Sequence, residues 1–269
     1  MKIGININTC KDAQGNILKA IKEAIFNIDK NISIAVFKDS NLEEYNIKEL
    51  DFVITLGGDG TILHTARLFS PWDIPILGIN IGNLGFLSAL DLPGFYDNLE
   101  KIINKEYYID ERMMLKCSLG EEEQYINSLN EIVIAKGALS KISRYEIYID
   151  DKLYNTFRAD GVIIATPTGS TAYSLSAGGP IVEGGIEAII ITAICPHYLG
   201  SRSIVVSSSK TVEIKVFKKQ EKVYLTVDGQ ESFEIYEESI KISKSDIKCK
   251  LVRLNDYDYY NILRKKILP

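Results

Sequence analysis

Histidine is nearly missing from this chain of 269 residues, which holds only His64 and His197. That scarcity excludes a histidine-rich metal cage, and Cys195-Pro196-His197 lacks the second Cys/His pair that a zinc site needs. The four cysteines, Cys10, Cys117, Cys195 and Cys249, are scattered without a C-x-x-C pair. They exclude a disulfide framework and suit reduced thiols in a cytosol. The longest strongly apolar run, Ala188–Cys195, falls far short of the roughly 20 residues of a membrane helix. Positive charge is not in excess: 31 Lys and Arg face 36 Asp and Glu, a net charge of -5. Neither a nucleic acid nor an anionic membrane is therefore expected as a partner. The short basic clusters Lys218-Lys219 and Arg264-Lys265-Lys266 read as a hairpin tip and the cationic last turn of a helix. The first residues, Met1–Asn6, soon turn polar, so no secretory signal is expected and the chain reads as cytoplasmic. Two nucleotide fingerprints, G-x-x-x-x-G-K-[ST] and G-x-G-x-x-G, are also absent.

What is present begins as alternating strand and helix patterns. Ile-rich Lys2–Asn8, then Ile32–Phe37, Asp51–Leu56 and Ile74–Asn80, are apolar runs of strand length. Between them Ile17, Ile21, Ala24, Ile25 and Ile28 recur at helical spacing, and Thr61–Phe69 and Tyr96–Asn104 read as further helices. This alternation predicts an α/β domain with a parallel sheet over residues 1–105. Past Glu106 the texture becomes β. Tyr107–Leu119, Gln124–Ala135, Arg144–Asp150, Lys152–Arg158, Thr211–Phe217, Lys222–Val227 and Ile247–Leu254 are strand-like, with turns expected at Asp150-Asp151 and Lys218–Glu221. A mostly β domain is expected over 106–254. A C-terminal helix over Asp256–Ile267, within a segment 255–269, is expected to return to the first domain.

Two stretches carry chemistry. Leu56-Gly57-Gly58-Asp59-Gly60-Thr61 follows an apolar strand and precedes a helix, the place where open α/β sheets bind ligands. Its glycines let backbone approach a ligand closely, and the helix amides can face phosphate oxygens. Asp59 between them can accept a hydroxyl proton, hold magnesium, or merely cap the helix. The second stretch runs from Ala159 to Pro180: an apolar strand, then Thr166-Pro167-Thr168-Gly169, then a helix closing on Gly178-Gly179-Pro180. Four hydroxyl residues between Thr168 and Ser174, with Tyr173, exceed what helix capping requires. A binding loop is the favoured reading.

Taken together, Gly57–Thr61, Gly82-Asn83-Leu84-Gly85-Phe86-Leu87, Leu129-Asn130-Glu131, the Asp160–Pro180 run, Cys195-Pro196-His197 with Arg202, and Asp228-Gly229-Gln230 follow one another in the order seen in NAD kinases. The chain resembles a bacterial member of that family over essentially its whole length. The G-G-D-G loop alone is shared with diacylglycerol kinases and phosphofructokinases, whereas the D-G-x-x-x-x-T-P-T-G-S-T-A-Y run is far more specific. The resemblance implies phosphoryl transfer to the 2′-hydroxyl of the adenosine ribose of NAD, with ATP or another donor and a divalent metal, magnesium being expected. It implies small-molecule nucleotides as partners and a homodimer or homotetramer.

By the same resemblance, Asp59 is the catalytic carboxylate, and Gly60 with its neighbouring amides contacts the NAD diphosphate. Asn130 and Glu131 hold the adenosine ribose and base, Glu131 as an ionised acceptor of hydrogen bonds. Asp160, supported by Arg158, faces the second nucleoside half. Thr171, Ala172, Tyr173, Ser174, Leu175 and Ser176 line the pocket, and Gln230 closes a rim. His64 stands where an arginine is frequent; it can meet a phosphate in its protonated form or be a helix-surface histidine with no ligand. Lys141 keeps a common arginine's charge without its fork. Ser201 replaces a common asparagine, and His197 is expected to be structural. No residue is assigned as a protein metal ligand.

Overall fold

The computed structural model describes residues 1–39, 41, 47–82, 85–118, 125–137, 141–198, 200–217, 222–235 and 239–267. Asn83, Leu84, Gln124, Lys218-Lys219 and the expected turn at Lys218–Glu221 lie outside them. The chain divides into two units, one of residues 1–111 and 249–269, the other of residues 112–248.

The first unit opens with β1 (Lys2–Ile7), α1 (Asn16–Ile28) and β2 (Ser33–Lys38). β3 (Phe52–Gly57), α2 (Asp59–Phe69), β4 (Ile76–Asn80), β5 (Leu90–Asp91) and α3 (Leu92–Ile103) follow. The strands run parallel in the order β2-β1-β3-β4. β1, β3 and β4 are buried along almost their entire length, as strands covered on both faces must be. Ile3, Ile5, Leu56, Ile79, Ile21, Ile25, Phe95 and Leu99 form one apolar cluster between sheet and helices. The direction of strand order reverses between β1 and β3. In parallel sheets this reversal splays the following loops apart and leaves a crevice for ligand at the strands' carboxyl ends.

The α/β reading of this half holds, with shifted helix ends. α2 begins at Asp59, two residues before the expected Thr61, because Gly58 already accepts the first turn's amides from Thr61 and Ile62. α3 begins at Leu92 rather than Tyr96, since Asp91 caps it by accepting the Gly94 amide at 2.9 Å.

The second unit is mostly β, as expected. β6 (Tyr107–Ser118) leads into it and pairs antiparallel with β7 (Tyr125–Ser128). β8 (Glu131–Lys136), β9 (Ser143–Ile149), β10 (Lys152–Ala159) and β11 (Gly161–Ala165) follow. After them come α4 (Tyr173–Ser176), β12 (Ala188–Ile194), β13 (Ile204–Ser207), β14 (Val212–Phe217), β15 (Val223–Val227) and β16 (Glu231–Ile235). A six-stranded antiparallel sheet has the order β13-β12-β11-β8-β15-β16. Its apolar residues join those of β9 and β14 in a single cluster that includes Ile134, Tyr145, Val162, Ile214 and Leu225.

β17 (Ser239–Leu254) is sixteen residues long. Its early residues pair with β14, and Leu251, in the first unit, lies opposite Ile76 of β4. α5 (Tyr259–Ile267) closes the chain and also belongs to the first unit. The expected strand Ile247–Leu254 is thus only the end of a longer one, and the expected helix starts at Tyr259 rather than Asp256.

Candidate functional site

The first unit presents the Gly-Gly-Asp-Gly segment at the carboxyl end of β3, beside the β1–β3 crevice. Asp59 is the first residue of α2, and the helix's cap position, Gly58, receives no side-chain hydrogen bond. The Asp59 side chain reaches 27 and 28 positions along the chain instead. Oδ2 accepts the Phe86 amide at 2.7 Å and Oδ1 the Leu87 amide at 3.1 Å. A simple helix-capping role is therefore excluded, and two motifs far apart in sequence become one structure. Each carboxylate oxygen has a second lone pair, so the clamp leaves acceptor capacity for a substrate hydroxyl.

The segment itself is held from below. Asn6 of β1 donates to Thr65 Oγ1 at 2.7 Å, and Thr65 donates to the Thr61 carbonyl at 2.8 Å. Gly60 lies exposed on the first turn. His64, one turn on, is half-buried, and its Nδ1 stands 3.1 Å from Arg67 Nη2. A guanidinium only donates, so Nδ1 accepts and the ring carries its hydrogen on Nε2. This contact with Arg67 suits the reading of His64 as a helix-surface histidine.

One residue here escaped the sequence reading. A Cβ added to Gly58 would meet Lys11 Nζ at 3.2 Å, and one added to Gly82 would meet it at 3.9 Å. The ammonium thus stands close to both Gly58, which precedes Asp59, and Gly82. Its legible signal was position alone: Lys11 lies four residues past the end of β1, the strand beside the crevice.

The second unit brings Asn130, Glu131 and the Thr166–Tyr173 run together. The expected continuous strand Gln124–Ala135 is broken, and buried Asp228 is the reason. Its carboxylate accepts Ser128 Oγ at 2.6 Å and the amides of Leu129 (3.1 Å), Asn130 (2.8 Å) and Glu131 (3.2 Å). Three consecutive amides turned onto one carboxylate cannot continue a ladder. Thr166 seals the other side, donating its hydroxyl to the Leu129 carbonyl at 2.6 Å and its amide to the Asn130 carbonyl at 2.8 Å. Gly169 is obligatory here, because a Cβ would lie 2.2 Å from the Asn130 carbonyl oxygen. Asn130 Oδ1 is buried and has no hydrogen-bond partner, the state of an acceptor awaiting a ligand donor. Asp228 shapes this turn, a part the sequence reading did not give it, since only Gln230 of that motif had been assigned.

Burial pushes the Glu131 carboxyl up to about 8, the nearby Asp228 pushes it the same way, and the Tyr173 amide opposes both. Burial also raises Asp228, against the four hydrogen bonds it accepts. At neutral pH Glu131 therefore holds a proton. In that form it offers a ligand a donor beside its acceptor. The linked stability follows: between its ordinary 4.5 and about 8 the folded chain keeps a proton that the unfolded chain has lost. Stability should fall as pH rises through that window, and Glu131→Gln should flatten the fall. Melting temperatures at pH 5 and pH 8 check this; the same slope in both proteins would contradict it.

The remaining assigned residues fall in distinct surroundings. The expected helix after Thr166 is instead a 3-10 turn at Thr168–Thr171 and the single turn α4. Ser170 and Ser174 are fully buried. Ser170 bonds the Pro167 and Val182 carbonyls, and Ser174 Oγ sits 3.2 Å from Thr192 Oγ1. Part of the hydroxyl cluster is therefore internal scaffolding. Tyr173 and Ser176 are exposed, while Thr171, Ala172 and Leu175 are half-buried. Asp160 pairs with Lys136 at 3.6 Å. Arg158, exposed, lines a cavity of about 470 Å³ with Arg144, His197 and Tyr198, away from the Asn130 cluster in sequence and sheet position. His197 lies in the turn after β12, its amide donating to the Arg158 carbonyl. Gln230 is exposed beside Asp228. Among the described residues no group of three or more His, Cys, Asp or Glu could hold a metal.

Two solved structures share this fold. Yeast NADH kinase complexed with NADH superposes with a TM-score of 0.85 at 25% identity, over 100% of this chain and 87% of that one. An NAD kinase from Archaeoglobus fulgidus in complex with ATP gives 0.81 at 27% identity, over 99% and 98%. The class is thus that of kinases acting on nicotinamide dinucleotides. Profiles of the ATP-NAD kinase N-terminal and C-terminal domains match residues 8–107 and 129–254. The NAD kinase of Clostridium botulinum is 48% identical over 268 residues, 98% of this chain and 95% of that one. That of Clostridium beijerinckii is 47% identical over 274 residues, with 99% and 95% covered. The chain belongs to the NAD kinase family, the enzymes that phosphorylate NAD to NADP with ATP.

Proposed function

We propose that the reacting group is the 2′-hydroxyl of the adenosine ribose of NAD and that Asp59 takes its proton. The observation that supports this most strongly is the two-amide clamp on Asp59 at the carboxyl end of a central strand. The hydroxyl oxygen attacks the γ-phosphorus of ATP, the bond from that phosphorus to the β,γ-bridging oxygen breaks, and ADP leaves. The hydroxyl proton passes to Asp59. Because such transfer is usually loose, holding the carboxylate in place contributes more than its strength as a base.

The donor phosphates are assigned to the ground above Gly58 and Gly82, where the Lys11 ammonium stands. Lys11→Met is expected to raise the KM for ATP about tenfold or more, as loss of a charged hydrogen bond would. Initial rates across ATP concentrations test this, and an unchanged KM would refute the role. A divalent cation fits only in company with the triphosphate, since no protein cage exists among the described residues. Magnesium is commonly held by one or two carboxylates together with phosphates and waters, and it would neutralise charge on the phosphate oxygens. Asp59 is the carboxylate on hand.

Asn130 Oδ1 and protonated Glu131 would recognise adenosine hydroxyls and base. Tyr173, Ala172, Thr171, Leu175 and Ser176 would form the adjoining wall, and Asp160 and Arg158 would face the second nucleoside. Ser174 would support that wall through Thr192, with Gln230 at the rim and Gly60 at the diphosphate. A cytoplasmic homodimer or homotetramer completes the proposal. In its support, no helix among the described residues is long and apolar enough to cross a membrane, and β13 and β16 stand at the two ends of their sheet.

A further inference from the structure

Arg253 lies at the end of β17 between Val252 and Leu254 of the apolar cluster, with only 1% of its surface exposed. A desolvated guanidinium is costly unless charge and hydrogen bonds compensate it, so an arginine at a core position calls for a reason. Its surroundings supply one. Nε faces Asp110 Oδ2 at 3.5 Å, and the guanidinium carbon lies 4.2 Å from the centre of the Tyr257 ring. Nη1 donates to the Leu87 carbonyl at 3.0 Å. That same Leu87 donates its amide to Asp59 Oδ1. The loop that clamps the carboxylate is therefore itself clamped from behind. α5 adds a second hold, with Lys266 Nζ 5.2 Å from the centre of the Phe86 ring. An aliphatic side chain would fill the same volume more cheaply, but it could not fix the Leu87 carbonyl.

We infer that Arg253 is a positioning residue for phosphoryl transfer, acting on Asp59 through the Phe86-Leu87 backbone. The inference rests on the assignment of Asp59 as the catalytic carboxylate. Asp110 and Tyr257 hold the guanidinium, the guanidinium holds the Leu87 carbonyl, and the Phe86 and Leu87 amides hold the carboxylate. The returning segment 249–269 thereby takes part in catalysis without touching substrate.

The test compares Arg253→Met and Arg253→Lys in the full chain, each also combined with Asp59→Asn. Rates are taken per folded molecule and with NAD and ATP varied separately. Arg253→Met is expected to lower kcat about tenfold or more while both KM values stay within about twofold, the pattern of lost transition-state positioning. Arg253→Lys should recover part of that loss, because an ammonium can still donate to Leu87. In the Asp59→Asn background neither change should lower kcat further, since residues acting as one unit are not additive. Should Arg253→Met fail to fold, Arg253→Lys and its double variant decide alone, with kcat expected between wild type and a tenfold loss. Unchanged kcat in folded Arg253 variants, or full additivity with Asp59→Asn, would overturn the inference. Near wild-type turnover by Asp59→Asn alone would instead sink the underlying assignment, so the two failures are distinct.

Discussion

Asp59→Asn is expected to leave the fold and NAD binding intact and to lower kcat by a factor on the order of 10² or more. Asparagine is nearly isosteric, and its Oδ1 can still accept one of the two amides that now bind the carboxylate at 2.7 and 3.1 Å. The other amide would face the side-chain NH2, so one clamp contact is lost along with the ability to accept a proton. The affinity for NAD should change little, because the residues proposed to bind it, Asn130, Glu131 and the Thr171–Ser176 wall, lie elsewhere in the chain. Calorimetric titration with NAD beside steady-state rates separates the two quantities. Weak NAD binding with normal turnover at saturation would reverse the roles assigned to these residues.

Gly85→Ala is expected to be nearly as damaging, although position 85 carries no side chain at all. A Cβ there would lie 1.7 Å from Asp59 Oδ1 and 2.3 Å from its Cγ. No van der Waals contact approaches that separation, so either the loop retreats or Asp59 rotates away. Both movements break the Phe86 and Leu87 hydrogen bonds. A kcat loss of about 10², with NAD affinity retained, is the expected result. Gly185→Ala is the control, since nothing stands within 4 Å of the added atom, and its rates should match the parent protein. Wild-type turnover in a folded Gly85→Ala protein would mean that the clamp does not matter to the reaction.

Local pattern carried the α/β half well, because each buried strand is an uninterrupted apolar run and each helix shows a 3.6-residue stripe. It did less for the β half. β12 was visible only as the longest apolar stretch, as a strand covered on both faces shows no alternation. β13 and β16 are four and five residues long, too short to stand out. The break between β7 and β8 was illegible because its cause, Asp228, lies 97 to 100 positions away.

The site followed the same division. Motifs with local glycine and hydroxyl signatures marked Asp59 and the Thr166–Tyr173 run, whereas Asn130 and Glu131 were marked by the family resemblance alone. The protonation of Glu131 depends on burial and on a carboxylate distant in sequence, and composition says nothing of either. Ser170 and Ser174 shared the composition of a binding loop yet serve as internal struts, since side-chain direction, not residue type, separates the two uses. Lys11 meets Gly58 and Gly82, and Arg253 meets Leu87, only through long-range contacts, and no spacing rule could have pointed to them.

The account turns on the position of a single sugar oxygen, and a crystal structure of the enzyme with NAD and a non-transferable ATP analogue would locate it. The ribose 2′-oxygen of the adenosine half should lie about 3 Å from a carboxylate oxygen of Asp59, with the γ-phosphate on its far side near Lys11. A ribose bound beyond the reach of even a bridging water from Asp59 would contradict the account.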